Sequence, residues 1–178
     1  GSDFLTLRNL WRGWVKVLRR GSGSDQRRWC QAHALSWTRM REWREIHDQL
    51  RRMMRESGRT GGRHRASDQA IHRALLTGLI TNVGGRARPA PGGSRPEKGL
   101  YEGPGRRRFK IHPSSNLART WPAWIMGAEL VETTRLWART VAQVDPAWIE
   151  SVGRHLLEPA YGDPFWDDRR GAAMTTMQ

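Results

Sequence analysis

This sequence of 178 residues has one cysteine and no long apolar run. The single Cys30 cannot form an internal disulfide bond. No apolar run approaches the roughly 18 residues of a membrane span, and residues 4–11 lack the organisation of a cleavable signal. The ten tryptophans are scattered over several segments and do not form one amphipathic stripe, which argues against binding at a membrane surface. We therefore expect a reduced, cytoplasmic protein without a membrane partner.

Motifs of catalysis and metal binding are also lacking. The sequence contains no G-x-x-x-x-G-K loop followed by Ser or Thr, no Asp-Glu-Ala-His tetrad, no H-E-x-x-H and no G-x-S-x-G. Its six histidines have no partners at metal-ligand spacing, and one cysteine cannot build a zinc cluster. Carboxylate pairs such as Asp167 and Asp168, or Glu129 and Glu132, are interpreted as structural. The sequence predicts no catalytic, metal or cofactor site, and no enzyme activity for this chain on its own.

Acidic residues are few, and lysines are fewer. The chain has 31 Lys and Arg against 17 Asp and Glu, a net charge of +14 and an isoelectric point near 11.5. Only Lys16, Lys98 and Lys110 are lysines, so nearly all of the positive charge is arginine, which binds phosphate bidentately and stacks on bases. This composition indicates a polyanionic partner such as a nucleic acid.

The first part of the chain has the apolar spacing of helices. Such spacing predicts helices over residues 3–18, from Ser24 or Asp25 to Ala34, from Ser36 onward and from Ser67 to Ile80. In the third of these, the buried stripe is expected to be Met40, Trp43, Ile46, Leu50, Met53 and Met54. Its other face carries many arginines; either it follows a nucleic-acid backbone or, as we favour, it is a solvated face with salt bridges to neighbouring acids.

The apolar period changes to two after residue 99. Short alternating segments from Leu100 to Val144, without helices between them, predict an antiparallel sheet or a small barrel. Pro146 is well placed as the first residue of a closing helix. The predicted fold class is therefore α+β, a helical bundle followed by a small barrel. We divide the chain into a helical segment 1–83, a flexible Gly/Pro/Arg-rich loop 84–99, a barrel 100–153 and an extended tail 154–178.

Strict alternation between Arg135 and Thr140 separates two faces of a predicted strand. Leu136, Ala138, Thr140, Ala142 and Val144 are expected to share the inner face. Arg135, Trp137 and Arg139 then share the outer face, where an indole between two guanidinium groups is a platform for a stacked base with phosphates on either side. An equally weighted alternative is that Trp137 packs against a neighbouring domain and that both arginines are merely solvated.

A turn is predicted immediately after the strand that ends near Ile111. Pro113 should end this strand, and Ser114 and Ser115 should turn the chain with their hydroxyl groups near the binding face. A purely structural turn is the alternative, which we favour for Pro113. For Ser115 we favour a contact with RNA or with the backbone.

Several motifs resemble those of DEAH-box RNA helicases. Ile111–Ser115, Glu129–Arg135 and Asp145–Trp148 resemble the terminal OB-fold of these proteins. Residues 35–50 are similar to the ratchet helix of the family, and residues 74–80 to its link into the OB-fold. The tail motifs at 153–156, 161–166 and 169–174 resemble the bacterial HrpA branch.

This resemblance implies a ratchet-like segment and an OB-fold that grip single-stranded RNA leaving a motor. The motor domains, which would use ATP and Mg²⁺, would lie upstream of this chain, and the end at Gln178 has the character of a truncation. The expected partners are single-stranded RNA and these motor domains, with the chain itself a monomer and without a cofactor. The residues expected to contact RNA are Lys110, His112, Ser114, Ser115, Thr133, Thr134, Arg135, Trp137 and Arg139.

Two other classes of protein share these features. A free-standing RNA-binding or ribosome-associated protein would have the same charge and the same OB-like strands, but would not need ratchet-type helices. A structural or adaptor module would use its tryptophans for cores and domain contacts. Binding of a single-stranded oligonucleotide separates the adaptor from the RNA-binding proteins.

Overall fold

A computed structural model describes residues 1–59, 65–89, 97–156, 165–167 and 172–174 of the chain. These residues contain four helices, then a five-stranded barrel, a fifth helix and a short hairpin. The helices are α1 (Asp3–Arg20), α2 (Gly23–Ala32), α3 (Trp37–Glu56), α4 (Asp68–Leu79) and α5 (Pro146–Gly153). The strands are β1 (Val83–Arg86), β2 (Leu100–Glu102), β3 (Arg108–Ile111), β4 (Trp124–Glu132), β5 (Leu136–Gln143), β6 (Phe165–Asp167) and β7 (Ala172–Met174). The predicted α+β class is confirmed.

Serine side chains cap the first four helices. Ser2, Ser22, Ser36 and Ser67 each accept a hydrogen bond from the amide three residues later, which satisfies one of the free N–H groups at a helix start. The starts expected at Ser36 and Ser67 are confirmed. The second helix begins earlier than expected because Ser22 forms a reciprocal capping box with Asp25. Asp145 caps α5, and Pro146 is its first residue, as predicted.

Helices α1, α2 and α3 share an aromatic core. Its buried members are Trp14, Cys30 and Met40, with partly buried tryptophans packed around them. The predicted stripe of α3 is wrong beyond Trp43, since Ile46, Leu50, Met53 and Met54 are 56, 55, 54 and 48% exposed. The second half of α3 extends past the other helices, so the periodicity identified an apolar face but not what covers it. No described helix is both long and apolar enough to span a membrane.

The predicted salt bridges on the charged face of α3 are present in its first half. Arg41 lies 3.9 Å from Glu45, and Arg44 lies 3.6 Å from Asp48, both at helical i, i+4 spacing. These contacts support the solvated reading of that face.

The barrel closes in the strand order β1-β2-β3-β5-β4. All neighbouring strands are antiparallel except β3 and β5, which run parallel. Its interior is filled by Tyr101, Phe109, Ile111, Leu117, Ile125, Ala138 and Val141. A second core joins one outer side of the barrel to α4 and α5 and contains Leu76, Val83, Met126, Ala142, Val144 and Ile149.

The barrel begins earlier in the sequence than expected. Val83–Arg86 pairs with both β2 and β4, so residues 84–86 belong to the barrel and not to the predicted loop. Gly84 faces the interior, where a Cβ atom would collide with the ring of Phe109. A pair of glycines looks like a loop in sequence, but here it allows a close approach between a strand and an aromatic ring. Residues 90–96 of the predicted loop lie outside the described residues.

Alternation along β5 stops at Thr140. This residue has a φ of 50°, and the adjacent Val141 and Ala142 are both fully buried. Val141 enters the barrel interior, whereas Ala142 and Val144 face the second core. The prediction that Thr140, Ala142 and Val144 share one inner face with Ala138 is therefore wrong.

The start of the chain explains this change. Strand β3 pairs with β5 only as far as Ala138, and beyond it the edge of β5 is covered by residues 1–3. The Asp3 carboxylate accepts hydrogen bonds from the amides of Val141, at 2.8 Å, and Asn116, at 3.0 Å. The residues of the first of these hydrogen bonds are 138 positions apart in the sequence, so a local sequence pattern cannot predict it.

Of the tail predicted for residues 154–178, the described part is a 3-10 helix at Arg154–Leu156, where the prediction of an extended chain is wrong, and a hairpin. Strands β6 and β7 pair antiparallel, with Trp166 opposite Ala173. The other features predicted from residue 157 onward lie outside the described residues.

Candidate nucleic-acid interface

Four neighbouring strands align one outward row of side chains. Leu100 on β2 is in register with Lys110 on β3, Lys110 with Trp137 on β5, and Trp137 with Val131 on β4. The residues on either side of Lys110, Phe109 and Ile111, point into the barrel, so the row itself lies on the outer surface. Trp137 is thus held at the middle of a continuous face that spans four strands.

Trp137 is partly exposed, as a stacking platform requires. The His112 ring meets it edge-on, with ring centroids 5.7 Å apart and an interplanar angle of 78°. The guanidinium carbon of Arg135 lies 5.8 Å from the centroid of the Trp137 ring. These contacts hold the indole against the histidine ring and place positive charge over one face of it, which leaves the other face for a base.

A carboxylate that sequence reasoning missed lies between the cations of this face. Glu97 pairs with Lys110, and its Oε1 lies 3.6 Å from Nη1 of Arg135. The hydrogen bond from Lys110 is the main reason that the pKa of Glu97 is lowered. Glu97 falls in the predicted loop and reaches Lys110 only through the pairing of β2 with β3, so no local signal identified it.

The remaining arginines differ in how they are paired. Nε of Arg108 lies 3.2 Å from Glu102 on the adjacent strand. Arg139 is exposed opposite Glu129, and no carboxylate among the described residues lies within 4 Å of its guanidinium group. Arg139 is thus available to an incoming phosphate without first leaving a partner.

In the turn after β3, Ser114 contacts a side chain and Ser115 contacts the backbone. Strand β3 ends at Ile111, just before Pro113 as predicted. Nδ1 of His112 accepts a hydrogen bond from the Ser114 amide at 3.2 Å and lies 2.7 Å from Ser114 Oγ. Since Nδ1 is an acceptor there, the neutral ring carries its proton on Nε2. Ser114 is exposed, and its contact with His112, which packs on Trp137, places it beside the outer face.

Ser115 lies inside this turn. It is 9% exposed, and its hydroxyl group accepts a hydrogen bond from the Leu117 amide at 3.1 Å. Its own amide donates to the carbonyl of His112 at 3.0 Å. Of the two contacts expected for Ser115, the structure contains the one with the backbone, so we remove this residue from the proposed interface.

Thr133 and Thr134 form the exposed hairpin between β4 and β5. The amide of Thr133 donates to the carbonyl of Arg135 at 3.1 Å, which closes the turn. This hairpin borders the end of the face at which Arg135 and Glu97 meet. The structure thus brings together Lys110, His112, Ser114, Thr133, Thr134, Arg135, Trp137 and Arg139, and adds Glu97, Leu100 and Val131.

Comparison with known proteins places this barrel in a family. Residues 71–156 match the family model "Oligonucleotide/oligosaccharide-binding (OB)-fold". The chain is 39% identical over 175 residues to "ATP-dependent RNA helicase HrpA" of Escherichia coli and 39% identical over 173 residues to its homolog in Haemophilus influenzae. These alignments cover 98% and 97% of this chain and 13% of each relative. Over nearly its whole length, the chain is thus similar to one region of the HrpA-type DEAH-box RNA helicases, and this region includes an OB-fold.

Two more distant matches were found. The Schizosaccharomyces pombe "Pre-mRNA-splicing factor ATP-dependent RNA helicase prp22" is 30% identical over 155 residues, which are 85% of this chain and 12% of that protein. The crystal structure of the E. coli DExH-box NTPase HrpB has a TM-score of 0.48 and 16% identity over 72% of this chain and 15% of that one. The present chain thus spans about one eighth of the length of the HrpA-type relatives.

Proposed function

We propose that this chain binds single-stranded RNA on the outer face of β2, β3, β4 and β5. The observation that carries this proposal is the partly exposed Trp137, held in register with Lys110 and flanked by Arg135 and Arg139. OB-folds bind single strands by stacking bases on aromatic rings and by attracting the backbone with positive charge.

From the contacts of this face we propose a role for each residue. A base stacks on the Trp137 ring, while Arg139 binds a phosphate on one side of it. Lys110 and Arg135 bind a phosphate on the other side only when it replaces Glu97 as their partner. Breaking the ion pairs with Glu97 offsets part of the free energy that is gained by binding the phosphate. We therefore expect weak binding with a steep dependence on salt. Neither stacking nor phosphate contacts involve the edges of the bases, which differ between nucleotides. We therefore expect little sequence preference.

Within the longer protein, we propose that this region grips RNA while motor domains elsewhere in the sequence translocate. The relatives named as ATP-dependent RNA helicases are about eight times longer than the matched region. ATP and Mg²⁺ would serve those motor domains and not the residues of this chain. This proposal includes a cytoplasmic location and a monomeric state.

The exposed end of α3 supports contact with the rest of that longer protein. Ile46, Leu50 and Met53 recur at intervals of four and three residues and form one apolar stripe that lies more than half exposed. We propose that another domain of the same protein covers this stripe. Replacing Ile46 and Leu50 by serine should leave the melting temperature of this chain nearly unchanged and should lower that of the longer protein.

Fluorescence anisotropy of a labelled oligouridylate tests the RNA-binding proposal. We expect saturable binding whose affinity falls as salt rises, with log affinity decreasing by about 0.7 per phosphate contact for each tenfold increase in salt. Arg139→Ala should weaken binding and reduce this slope. Arg28→Ala is the matched control, since it removes the same charge from an exposed site on α2 that pairs with Asp25. An affinity that is independent of salt, or equal losses in the two variants, would contradict the proposal.

A further inference from the structure

We propose that the barrel holds a second stacking platform, Trp124, which binds a further segment of the same nucleic-acid strand. This inference rests on the proposed function and extends it beyond the face around Trp137. The platform lies in a groove between the end of β1, the start of β2 and the segment that leads into β4. The described residues of this groove include Arg86, Arg88, Lys98, Trp121 and Trp124.

The indole of Trp124 lies over a glycine. A Cβ atom added to Gly85 would come within 3.1 to 3.2 Å of three ring atoms of Trp124. Gly85 and Trp124 are paired residues of β1 and β4, so the ring lies across the neighbouring strand. Trp124 is 36% exposed, and no aromatic ring or cation of the described residues stacks on it. One side of the ring is therefore seated on backbone, and a ligand can cover the other.

Every backbone carbonyl of residues 121–124, the segment that carries this ring, accepts a hydrogen bond. The carbonyl oxygen of Trp121 accepts a hydrogen bond from the Arg86 side chain, and that of Pro122 accepts one from the buried Tyr101 hydroxyl at 2.8 Å. The carbonyl of Ala123 accepts from the Arg86 amide, and the carbonyl of Trp124 accepts from the Val144 amide. Rigid placement lowers the entropy that is lost when a base stacks on the ring.

Trp121 itself has an unusual backbone conformation. Its φ is 45°, which is rare for a bulky side chain and costs free energy that the surrounding contacts must offset. This conformation places its ring against Gly99, and the Lys98 ammonium group lies 4.2 Å from the ring centroid. Lys98 is thereby held within the groove.

The one acid in the described lining of the groove, Glu97, pairs with Lys110 and Arg135 and not with the cations of the groove. No carboxylate among the described residues lies within 4 Å of the charged groups of Arg86, Arg88 or Lys98. Aromatic surface beside cations that have no carboxylate partner is the combination that binds the bases and phosphates of a single strand. A polyanionic strand therefore fits this groove better than an uncharged peptide.

The groove is continuous with the face around Trp137. Leu100 lines the groove and also belongs to the outward row that contains Lys110 and Trp137. From β5 through β3 and β2 to β1 there are three strand spacings, a path of about 14 Å at roughly 4.8 Å each. Nucleotides stacked as in a duplex lie about 3.4 Å apart along each strand, so about four of them cover this path and two cannot reach both platforms.

The length of the oligonucleotide therefore separates the two platforms. We would measure the affinities of oligouridylates of two and twelve nucleotides for the wild-type chain and for Trp137→Ala, Trp124→Leu and Lys98→Gln. Leucine retains much of the apolar contact with Gly85 but cannot stack on a base, and melting temperatures establish that each variant is folded. Lys98 is exposed, so Lys98→Gln should not affect folding. This variant therefore tests the groove even if Trp124→Leu is unstable.

We expect Trp137→Ala to weaken the binding of both lengths. Trp124→Leu should weaken the 12-mer about fivefold or more and leave the dinucleotide unchanged. Lys98→Gln should weaken the 12-mer alone and reduce its salt dependence. If only Trp137→Ala has an effect, the second platform is refuted and the proposed function stands. If Trp124→Leu weakens both lengths equally, the groove is not an extension of the first site. If the wild-type chain binds neither oligonucleotide, both proposals fail.

Discussion

Replacing Trp137 by alanine should reduce RNA affinity far more than it reduces stability. The ring is partly exposed and belongs to neither barrel core, while the inward neighbour Ala138 stays in place. A fully buried tryptophan would cost about 3–5 kcal/mol on truncation, so we expect the loss of stability here to be below about 2 kcal/mol. Within the protein, the contacts of the ring with His112 and with the guanidinium group of Arg135 are lost.

The expected loss of binding is larger because stacking depends on this ring. Stacking of one base on an aromatic side chain contributes about 1–3 kcal/mol, which corresponds to a loss of roughly 5- to 150-fold in affinity. Anisotropy with oligouridylate gives the affinity, and thermal unfolding followed by circular dichroism gives the stability. Trp137→Phe is the matched variant, since it retains an aromatic face and should recover part of the affinity.

Two results would refute this reasoning. A strongly destabilised Trp137→Ala chain whose folded fraction binds RNA normally would show that the indole only packs. Equal affinities for the alanine and phenylalanine variants, both well below that of the wild type, would show that stacking is not the interaction that was lost.

Three further predictions concern Glu97 and Ser115, which lie near this face, and His72, which is buried on α4. Glu97→Gln should raise RNA affinity about two- to fivefold at low salt, because it releases Lys110 and Arg135 from a carboxylate; an unchanged or lower affinity would mean that these cations do not contact RNA. Ser115→Ala should lower the melting temperature and leave RNA affinity unchanged, because its buried hydroxyl group accepts from a backbone amide; the opposite pattern would restore a direct role in binding. His72 is buried, and burial lowers its pKa. Its neutral form therefore stabilises the fold above the unfolded-state pKa of about 6.5, and this contribution should be lost as the pH falls through the lower folded-state value. His72→Gln should flatten the dependence of melting temperature on pH between 7 and 5, and a wild-type midpoint that is constant over this range would contradict the assignment.

Local signals in the sequence were sufficient for elements whose causes are local. Ser36 and Ser67 start helices because a serine oxygen satisfies amides only a few residues away. The alternation from Arg135 to Arg139 correctly separated the buried Ala138 from the outward Trp137. The resemblance to the helicase OB-fold was likewise visible in short motifs.

Features that depend on distant contacts could not be predicted in this way. Thr140 changes the facing of β5 where the chain start, through Asp3, covers its edge. Glu97 reaches Lys110 only because β2 and β3 pair. On α3, the period of Ile46 and Leu50 predicts an apolar stripe, but periodicity does not specify a covering partner.

The indole N–H signals of the ten tryptophans provide the most direct measurement of the central claim. Trp137 and Trp14 can be assigned by replacing each with phenylalanine, and the wild-type chain is then titrated with a single-stranded oligouridylate. If the outer face of the barrel binds RNA, the Trp137 signal shifts and saturates, whereas that of Trp14, which is fully buried in the helical core, does not. Saturable binding that leaves the Trp137 signal unchanged would contradict the account.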